Sequence, residues 1–282
     1  MAALLRIQER NRIRRERIFR DRLDPLAVPE EDLIRKYRLP RAEIINLVEL
    51  SGEDLERATN RSHSVPVAVQ VATSLRFFAS GTFQNVLGDS CGLSQPTMSR
   101  IINSFTESLV RRVNEFVYLP AGREKRKTIA EFAAVSNFPN VLGVIDGTHV
   151  PIKSPSENVH LYIKSKNFHS INVQLVCDKN YFVMDVVLKW PGSTHESFIL
   201  RNSSLTQIFE NGIITDGWLL GDSGYPSKPW LLTPLRNPVS LEELRYNNSH
   251  RTTTCVVERC IGVLKSASDV YIHLVVDCSM IK

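Results

Sequence analysis

The fold follows from the stretch Val141-Leu-Gly-Val-Ile-Asp-Gly-Thr-His149, an apolar run that is interrupted by a carboxylate. The apolar residues before Asp146 predict a buried strand that ends in this acid, after which Gly147 lets the chain turn away. A rigid strand of this kind can place a charge at the edge of a cleft. Taken alone, the stretch is more typical of a strand that ends in a structural Asp-Gly turn.

Composition restricts the class of protein. The chain has 282 residues, of which 43% are hydrophobic and 23% charged, as expected of a soluble globular protein with one or two domains. No apolar run approaches the roughly 18 residues of a membrane span, and early arginines argue against a secretory signal. We therefore expect the protein in the nucleus and the cytoplasm. Five scattered cysteines indicate neither a disulfide framework nor a zinc site.

The net charge of +5 is concentrated in a basic arm, residues 1–24. Residues 1–22 contain eight arginines and three acids, so the other 260 residues are formally neutral. Such an arm attracts nucleic acid through a sequence-independent, salt-sensitive interaction. A solvated helix of mixed charge and a localisation signal remain equal alternatives.

Residues 25–119 form a predicted all-α region. Helices are expected at 30–37 and from Pro40 to about Leu50, followed by three helices between Pro66 and Arg112. The third of these begins after Ser94, which is its expected N-cap. A short helix, a glycine turn and a further helix are typical of a helix-turn-helix module, whose DNA-binding candidates are Gln95, Thr97, Ser99 and Arg100. A plain three-helix packing unit gives the same pattern.

The pattern changes to strands after a predicted linker, residues 120–128. Within the second domain, residues 129–266, the sequence predicts a hairpin over 170–190, a helix over 196–209 and a strand from Trp218 that ends before Asp222. A fifth strand at 230–235 and a helix over 241–265, which carries Glu258, complete the set.

This order of elements matches an α/β, ribonuclease-H-like fold, a mixed five-stranded sheet with flanking helices. In that fold the first and fourth strands are neighbours, so Asp146 and Asp222 converge and the last helix brings Glu258 across to them. The last two acids are separated by 35 residues. Adjacent carboxylates repel one another unless a divalent cation neutralises them, and oxygen ligands suit Mg²⁺ or Mn²⁺ better than zinc.

Four motifs follow one another along the chain: Ile145-Asp-Gly-Thr-His-Val-Pro-Ile152, Trp190-Pro-Gly-Ser-Thr-His-Glu-Ser197, Leu220-Gly-Asp-Ser-Gly-Tyr-Pro226 and Val257-Glu-Arg-Cys-Ile-Gly-Val-Leu-Lys265. Together they resemble the DDE-type nuclease domain of the Harbinger transposase family, over roughly residues 25–266. The resemblance implies that Asp146, Asp222 and Glu258 are the catalytic, metal-binding acids. Glu196 stands where the family usually has Asp, as a further metal ligand.

The resemblance also implies metal-dependent hydrolysis or transfer of DNA phosphodiester bonds, with two ions roughly 3.5–4 Å apart. His149 and His195 are candidates to orient water or contact phosphate, and further candidate phosphate contacts are Lys153, Lys164, Lys166, Arg259 and Lys265. Besides DNA, a Myb-like protein is an implied partner, while the sequence does not indicate an oligomeric state. Residues 267–282 depart from the family and look like an alternative or frameshifted end. Two alternatives to a nuclease stay open: a catalytically inactive DNA-binding or adaptor protein, and a folded remnant that acts through protein partners.

Overall fold

The computed structural model describes residues 24–57, 64–163 and 168–267, in which a helical region precedes a mixed sheet with flanking helices. The helices are α1 (Glu30–Tyr37), α2 (Arg41–Leu55), α3 (Val67–Ser80), α4 (Gln84–Cys91), α5 (Gln95–Arg111), α6 (Val113–Phe116), α7 (Gly122–Ser136), α8 (Glu196–Arg201), α9 (Ser204–Glu210) and α10 (Leu241–Ala267). The strands are β1 (Val141–Pro151), β2 (Ser170–Cys177), β3 (Val183–Pro191), β4 (Trp218–Leu220) and β5 (Leu231–Leu232). A 3₁₀ turn covers Val159–Tyr162. Residues 1–23 of the predicted arm and 268–282 of the predicted tail lie outside the described residues.

The helical region has its own apolar core between α2, α3 and α5. Ile44, Phe78 and Phe105 are at most 2% exposed, and the two phenylalanine rings stack with their centroids 6.2 Å apart. Burying each of these side chains contributes about 1.5–3 kcal/mol to folding. At the end of α5, Arg112 pairs with Asp54 of α2, which ties the two helices together beside the core. The expected helices between Pro66 and Arg112 are all present.

A tight glycine turn joins α4 to α5. Gly92 adopts the left-handed conformation with φ of 65° and ends α4, as predicted. A Cβ at Gly88 would lie 2.5 Å from the carbonyl oxygen of Leu93, so only glycine allows this approach. Ser94 occupies the N-cap position of α5, and its Oγ lies 2.9 Å from Oγ1 of Thr97. A short helix, a glycine turn and a further helix are therefore present in the predicted order, and their assignment to a helix-turn-helix module stays a prediction.

The predicted linker over residues 120–128 is wrong in its conformation. Helix α7 begins at Gly122 and continues through the basic segment to Ser136. The first turns of α7 are polar, and only Thr128 and Phe132 of this helix are buried. The sequence therefore shows no apolar periodicity in this segment. The position of the domain boundary itself stays a prediction.

The sheet has the strand order β3-β2-β1-β4-β5. Strand β1 is antiparallel to β2 and parallel to β4, so the sheet is mixed, and β1 lies beside the fourth strand. The predicted fold class is thereby confirmed. Strand β5 is shorter than predicted, with two residues rather than about six, and forms one edge of the sheet.

Strand β1 does not end at Asp146, contrary to the prediction. It continues through Gly147, which is opposite Gln174, to Pro151, because the long strand β2 supplies hydrogen-bonding partners along its whole length. The parallel pairing with β4, however, stops at Val144. Asp146 therefore lies inside a strand, immediately beyond the point at which its other neighbour ends.

Each face of the sheet carries its own apolar core. On one face Ile145 and Val176 pack with residues of α8 and α9, including Leu200 and Phe209. The opposite face packs against α7 and α10, with buried residues that include Phe132, Val144, Val256 and Val257. This burial holds α10 across β1 and so fixes which part of that helix faces the end of β4.

The predicted helix over 196–209 is two helices. α8 ends at Arg201 and α9 begins at Ser204, separated by Asn202 and Ser203. The Ser203 hydroxyl donates to the carbonyl of Leu200 at 2.6 Å and accepts from the backbone N–H of Thr206 at 3.4 Å. A serine that hydrogen-bonds a backbone carbonyl at the end of one helix and a backbone N–H at the start of the next favours a break over a continuous helix.

The last turn of α10 and helix α1 border an open groove, whose lining includes Ile34, Arg38, Val263 and Ser266. The end of α10 and helix α1 of the helical region therefore lie on the same groove. None of the helices that the structure describes combines the length and apolarity needed to cross a membrane.

Candidate active site

Asp146 is held rigidly by the sheet. It is opposite Leu175 of β2, and the backbone N–H of Gly147 donates to Oδ1 of Asp146 at 2.7 Å. The side chain is only partly exposed, whereas the neighbouring Ile145 is 1% exposed. A carboxylate on a paired strand has little freedom to move, so Asp146 is the fixed member of the site.

Asp222 follows β4 by two residues, as predicted, and lies in an exposed turn. Its Oδ1 accepts a hydrogen bond from the backbone N–H of Gly224 at 2.8 Å, which closes a local turn. Because β4 is parallel to β1 and ends at Leu220, opposite Val144, the chain emerges beside Asp146. The convergence expected from the strand order is therefore present.

Glu196 is packed between two glycines near these acids. A Cβ at Gly147 would lie 2.7 Å from its Oε1, and a Cβ at Gly224 would lie 2.3 Å from its Oε2 and 3.1 Å from Oδ1 of Asp222. Any side chain at either glycine would therefore displace this carboxylate. Glu196 is the first residue of α8, whose N-cap His195 accepts from the N–H of Ser197 at 3.2 Å.

Glu258 lies on the exposed side of α10, where Val256 and Val257 are buried against the sheet. Its negative charge acts on Asp146, although less strongly than the charges of Asp222 and Glu196. The structure therefore brings all four predicted acids into one electrostatic neighbourhood, with Glu258 the most loosely connected.

The pKa of Asp146 is raised to about 6, mainly by burial. The N–H of Gly147 opposes this increase, and the negative charges of Asp222, Glu196 and Glu258 add to it. Strongly perturbed acids of this kind are typical of functional sites.

The donor set fits a hard divalent cation, because it consists of carboxylates gathered around one partly buried acid, with the Glu196 carboxylate packed against Gly147 and Gly224. Across residues 24–57, 64–163 and 168–267, however, no three His, Cys, Asp or Glu side chains are close enough together to share one ion. Asp222 and Glu258 are exposed, so they are the side chains free to close around an ion that Asp146 binds.

The two predicted histidines differ in their surroundings. Nδ1 of His149, farther along β1, lies 3.0 Å from Oγ of Ser170. His195 is exposed, and its Nδ1 accepts from the backbone of α8, so a neutral ring carries its proton on Nε2. An N–H donor beside Glu196 is suited to contact a phosphate oxygen.

Sequence reasoning missed two residues of this neighbourhood, Tyr225 and His250. Nε2 of His250 lies 3.2 Å from the carbonyl oxygen of Leu232, which can only accept, so this nitrogen carries the proton. Burial lowers the pKa of His250, while backbone hydrogen bonds at Leu232 and Gly221 and the charge of Asp222 act in the opposite direction. The available signal was spacing, since His250 lies eight residues before Glu258 on α10.

The predicted DNA contacts of the helical region lie on the first turns of α5. Gln95 and Arg100 are exposed, whereas Thr97 and Ser99 are half-buried. Nε2 of Gln95 donates to Oε1 of Gln84 on α4 at 3.1 Å, which holds the two helices in register. On α10 the candidates Arg259 and Lys265 are exposed, as is Lys153 after β1. Lys164 and Lys166 lie outside the described residues.

Comparison with known proteins agrees with this arrangement. Residues 145–270 match the model of the family described as DDE superfamily endonuclease. The chain is 40% identical to the protein named Putative nuclease HARBI1 of Mus musculus over 245 residues, which cover 86% of this chain and 70% of that protein. The Homo sapiens protein of that name is 40% identical over 247 residues, covering 87% and 71%. Protein ALP1-like of Arabidopsis thaliana is 33% identical over 214 residues, covering 70% and 52%. No solved structure matches the chain.

Proposed function

Because this chain belongs to the family of Harbinger transposase-derived nucleases, with the domain of a DDE superfamily endonuclease, we propose that it is a divalent-metal-dependent nuclease that hydrolyses DNA phosphodiester bonds. The observation that carries the proposal is the convergence of Asp222, Glu196 and Glu258 on the partly buried Asp146. We also propose that the protein is located in the nucleus and the cytoplasm.

Asp146, Asp222 and Glu258 would hold Mg²⁺ or Mn²⁺, with Glu196 as a fourth carboxylate. Bound ions of this type activate water and stabilise the leaving oxygen of a phosphodiester. Asp146 provides the fixed reference position, because its strand is paired with β2 on both sides of the residue. The exposed Asp222 and Glu258 then approach from a turn and from a helix, and His195 offers an N–H at the rim for a phosphate oxygen.

Cleavage of supercoiled plasmid DNA tests the proposal. The purified protein should nick plasmid in the presence of Mn²⁺ or Mg²⁺ and not in EDTA, and Asp146→Asn should lose at least a hundredfold in rate because a fixed ligand is removed without a change of shape. Asp216→Asn is the matched control, since Asp216 is an exposed acid just before β4, at the opposite end of that strand from Asp222. Equal nicking by the wild type and Asp146→Asn would show that a contaminant is responsible.

DNA binding by the helical region is a second candidate function, favoured by the exposed Gln95 and Arg100 on the first turns of α5. A protein that binds DNA without cleaving it needs this surface and not the acids. If this function holds, Arg100→Ala weakens binding and makes it less sensitive to salt, whereas Asp222→Asn leaves binding intact. Fluorescence anisotropy with a labelled duplex, at several salt concentrations, separates the two effects. A Myb-like protein remains a proposed partner of the chain, and co-purification with such a protein is the test.

A further inference from the structure

Tyr225 lies three residues after Asp222 and is buried in the apolar core between the sheet and α8. Its side chain is 4% exposed, and the ring packs against Gly221, where a Cβ would lie 3.0 Å from Cδ2 of the tyrosine. The hydroxyl oxygen has no accessible surface and no hydrogen-bond partner among the residues that the structure describes. A phenylalanine would fill the same space without leaving a buried polar atom unpaired.

The charged groups that act on this hydroxyl are three carboxylates of the acidic site. Burial raises the pKa of Tyr225, and the negative charges of Glu196, Asp146 and Asp222 raise it further, with Glu196 the strongest of the three. The phenol therefore keeps its proton, and towards an ionised carboxylate it can act only as a hydrogen-bond donor. An unpaired buried donor is destabilising, so a role in the adjacent site explains the hydroxyl better than packing alone.

Glu196 is the acid that this donor can orient. Its Oε2 is packed against Gly224, the residue next to Tyr225 in the chain, and its Oε1 is packed against Gly147 on β1. A carboxylate packed against these two backbone segments has few orientations available. A hydrogen bond from the phenol would select among them.

We propose that Tyr225 is a positioning residue of the acidic site, whose hydroxyl donates a hydrogen bond to the Glu196 carboxylate when the site binds a divalent cation. This inference rests on the proposed function, because it concerns how the same carboxylates are arranged for an ion. Partners that orient metal-binding carboxylates typically contribute a factor of 10–100 in metal affinity.

Calorimetric titration of the full chain with Mn²⁺ tests the role of the hydroxyl. Tyr225→Phe should raise the Kd for Mn²⁺ about tenfold. Its stability without metal, measured by urea unfolding, should be unchanged or higher, because an unpaired buried hydroxyl is removed. A tyrosine that only fills space predicts an unchanged Kd, and that result would overturn the inference.

Tyr246→Phe is the matched control. The hydroxyl of Tyr246 donates to the carbonyl of Thr233 at 3.0 Å, and burial, without any acid, raises its pKa. This variant should show the opposite pattern, a lower stability without metal and an unchanged Kd for Mn²⁺. If Tyr246→Phe weakened Mn²⁺ binding as much as Tyr225→Phe, loss of a buried tyrosine hydroxyl in general would be the cause, and the specific role of Tyr225 would be refuted.

A double-mutant cycle tests whether Tyr225 acts through Glu196. Glu196→Gln and the double variant with Tyr225→Phe should bind Mn²⁺ with the same Kd, since the hydroxyl has no carboxylate left to orient. Fully additive losses would overturn the inference. If the wild type itself does not bind Mn²⁺, the proposed function fails. If the wild type binds and Tyr225→Phe binds equally well, only the role of Tyr225 fails.

Discussion

Replacing Asp185 with Asn should stabilise the protein at neutral pH and have little effect at pH 4. Asp185 lies on β3 opposite Val176, and its Oδ2 has neither accessible surface nor a hydrogen-bond partner among the described residues. Burial raises the pKa of this carboxyl from its ordinary 3.8 to about 6. Asn has nearly the same shape and carries no charge, so the substitution isolates the cost of ionising a buried acid.

The magnitude follows from the difference between these two pKa values. At 1.36 kcal/mol per pKa unit, raising the pKa from 3.8 to about 6 corresponds to about 3 kcal/mol. Because the folded-state pKa lies above the unfolded-state value, the contribution of this carboxyl to stability is complete below about pH 4. That contribution is lost as the pH rises through about 6. Asp185→Asn should therefore be about 3 kcal/mol more stable than the wild type at pH 7.5, and within about 0.5 kcal/mol of it at pH 4.

Urea unfolding followed by tryptophan fluorescence at pH 4, 5, 6 and 7.5 provides the measurement, since Trp190 lies on the same strand. The reasoning concerns the difference between the two proteins at each pH, so other titrating groups cancel. Asp216→Asn serves as the control, because Asp216 is exposed and its replacement should change little at any pH. A stability difference between Asp185→Asn and the wild type that is independent of pH would show that packing, and not ionisation, is responsible.

Three further predictions concern the acidic site and the sheet beneath it. Gly224→Ala should weaken Mn²⁺ binding by at least tenfold in calorimetry, because its Cβ would lie 2.3 Å from Oε2 of Glu196. Gly262→Ala is the control, because nothing lies within 4 Å of its Cβ. This variant should leave the Kd for Mn²⁺ unchanged and stabilise α10 by up to ~1 kcal/mol. If both variants changed the Kd for Mn²⁺ equally, the packing of the Glu196 carboxylate against Gly224 would not be the cause. The affinity for Mn²⁺ should increase from pH 5 to about 6.5 and then level off, because Asp146, with a pKa of about 6, must lose its proton to bind an ion; a flat profile over this range would contradict its role as a ligand. Gln174→Met should raise the free energy of unfolding by about 1 kcal/mol in urea, since both polar side-chain atoms of this fully buried residue lack partners among the described residues, and a loss of stability would show that these atoms are satisfied.

The sequence predicted the order of the strands and the neighbourhood of Asp146 and Asp222, because both acids follow short apolar runs that are typical of strands and the order of the elements matches a ribonuclease-H-like fold. It did not predict where β1 ends. A glycine after an acid is typical of a turn, and only the partner strand β2, which is remote in sequence, extends β1 to Pro151. Strand ends depend on such partners and not on the residues themselves.

Other features of the fold could not be predicted from the sequence, because local residue patterns do not show them. Helix α7 begins in a basic segment, so its first turns show no apolar stripe, and the break between α8 and α9 depends on the two hydrogen bonds of Ser203. In the sequence, Tyr225 has the pattern of an ordinary core residue. Its proximity to Glu196 depends on the path of the turn after β4, which the sequence pattern does not predict. The participation of Asp146, Asp222, Glu196 and Glu258 as metal ligands stays a prediction.

The packing of helix α10 also has a consequence for the position of Glu258. Its 27 residues span about 40 Å, and the part packed most tightly against the sheet, between Thr253 and Cys260, includes Glu258. After Cys260 the helix continues for seven residues to the groove beside α1. Because Glu258 lies on the part of α10 that is packed against the sheet, this packing fixes the backbone that carries the third acid, roughly 12 Å along the helix axis from the groove residue Ser266.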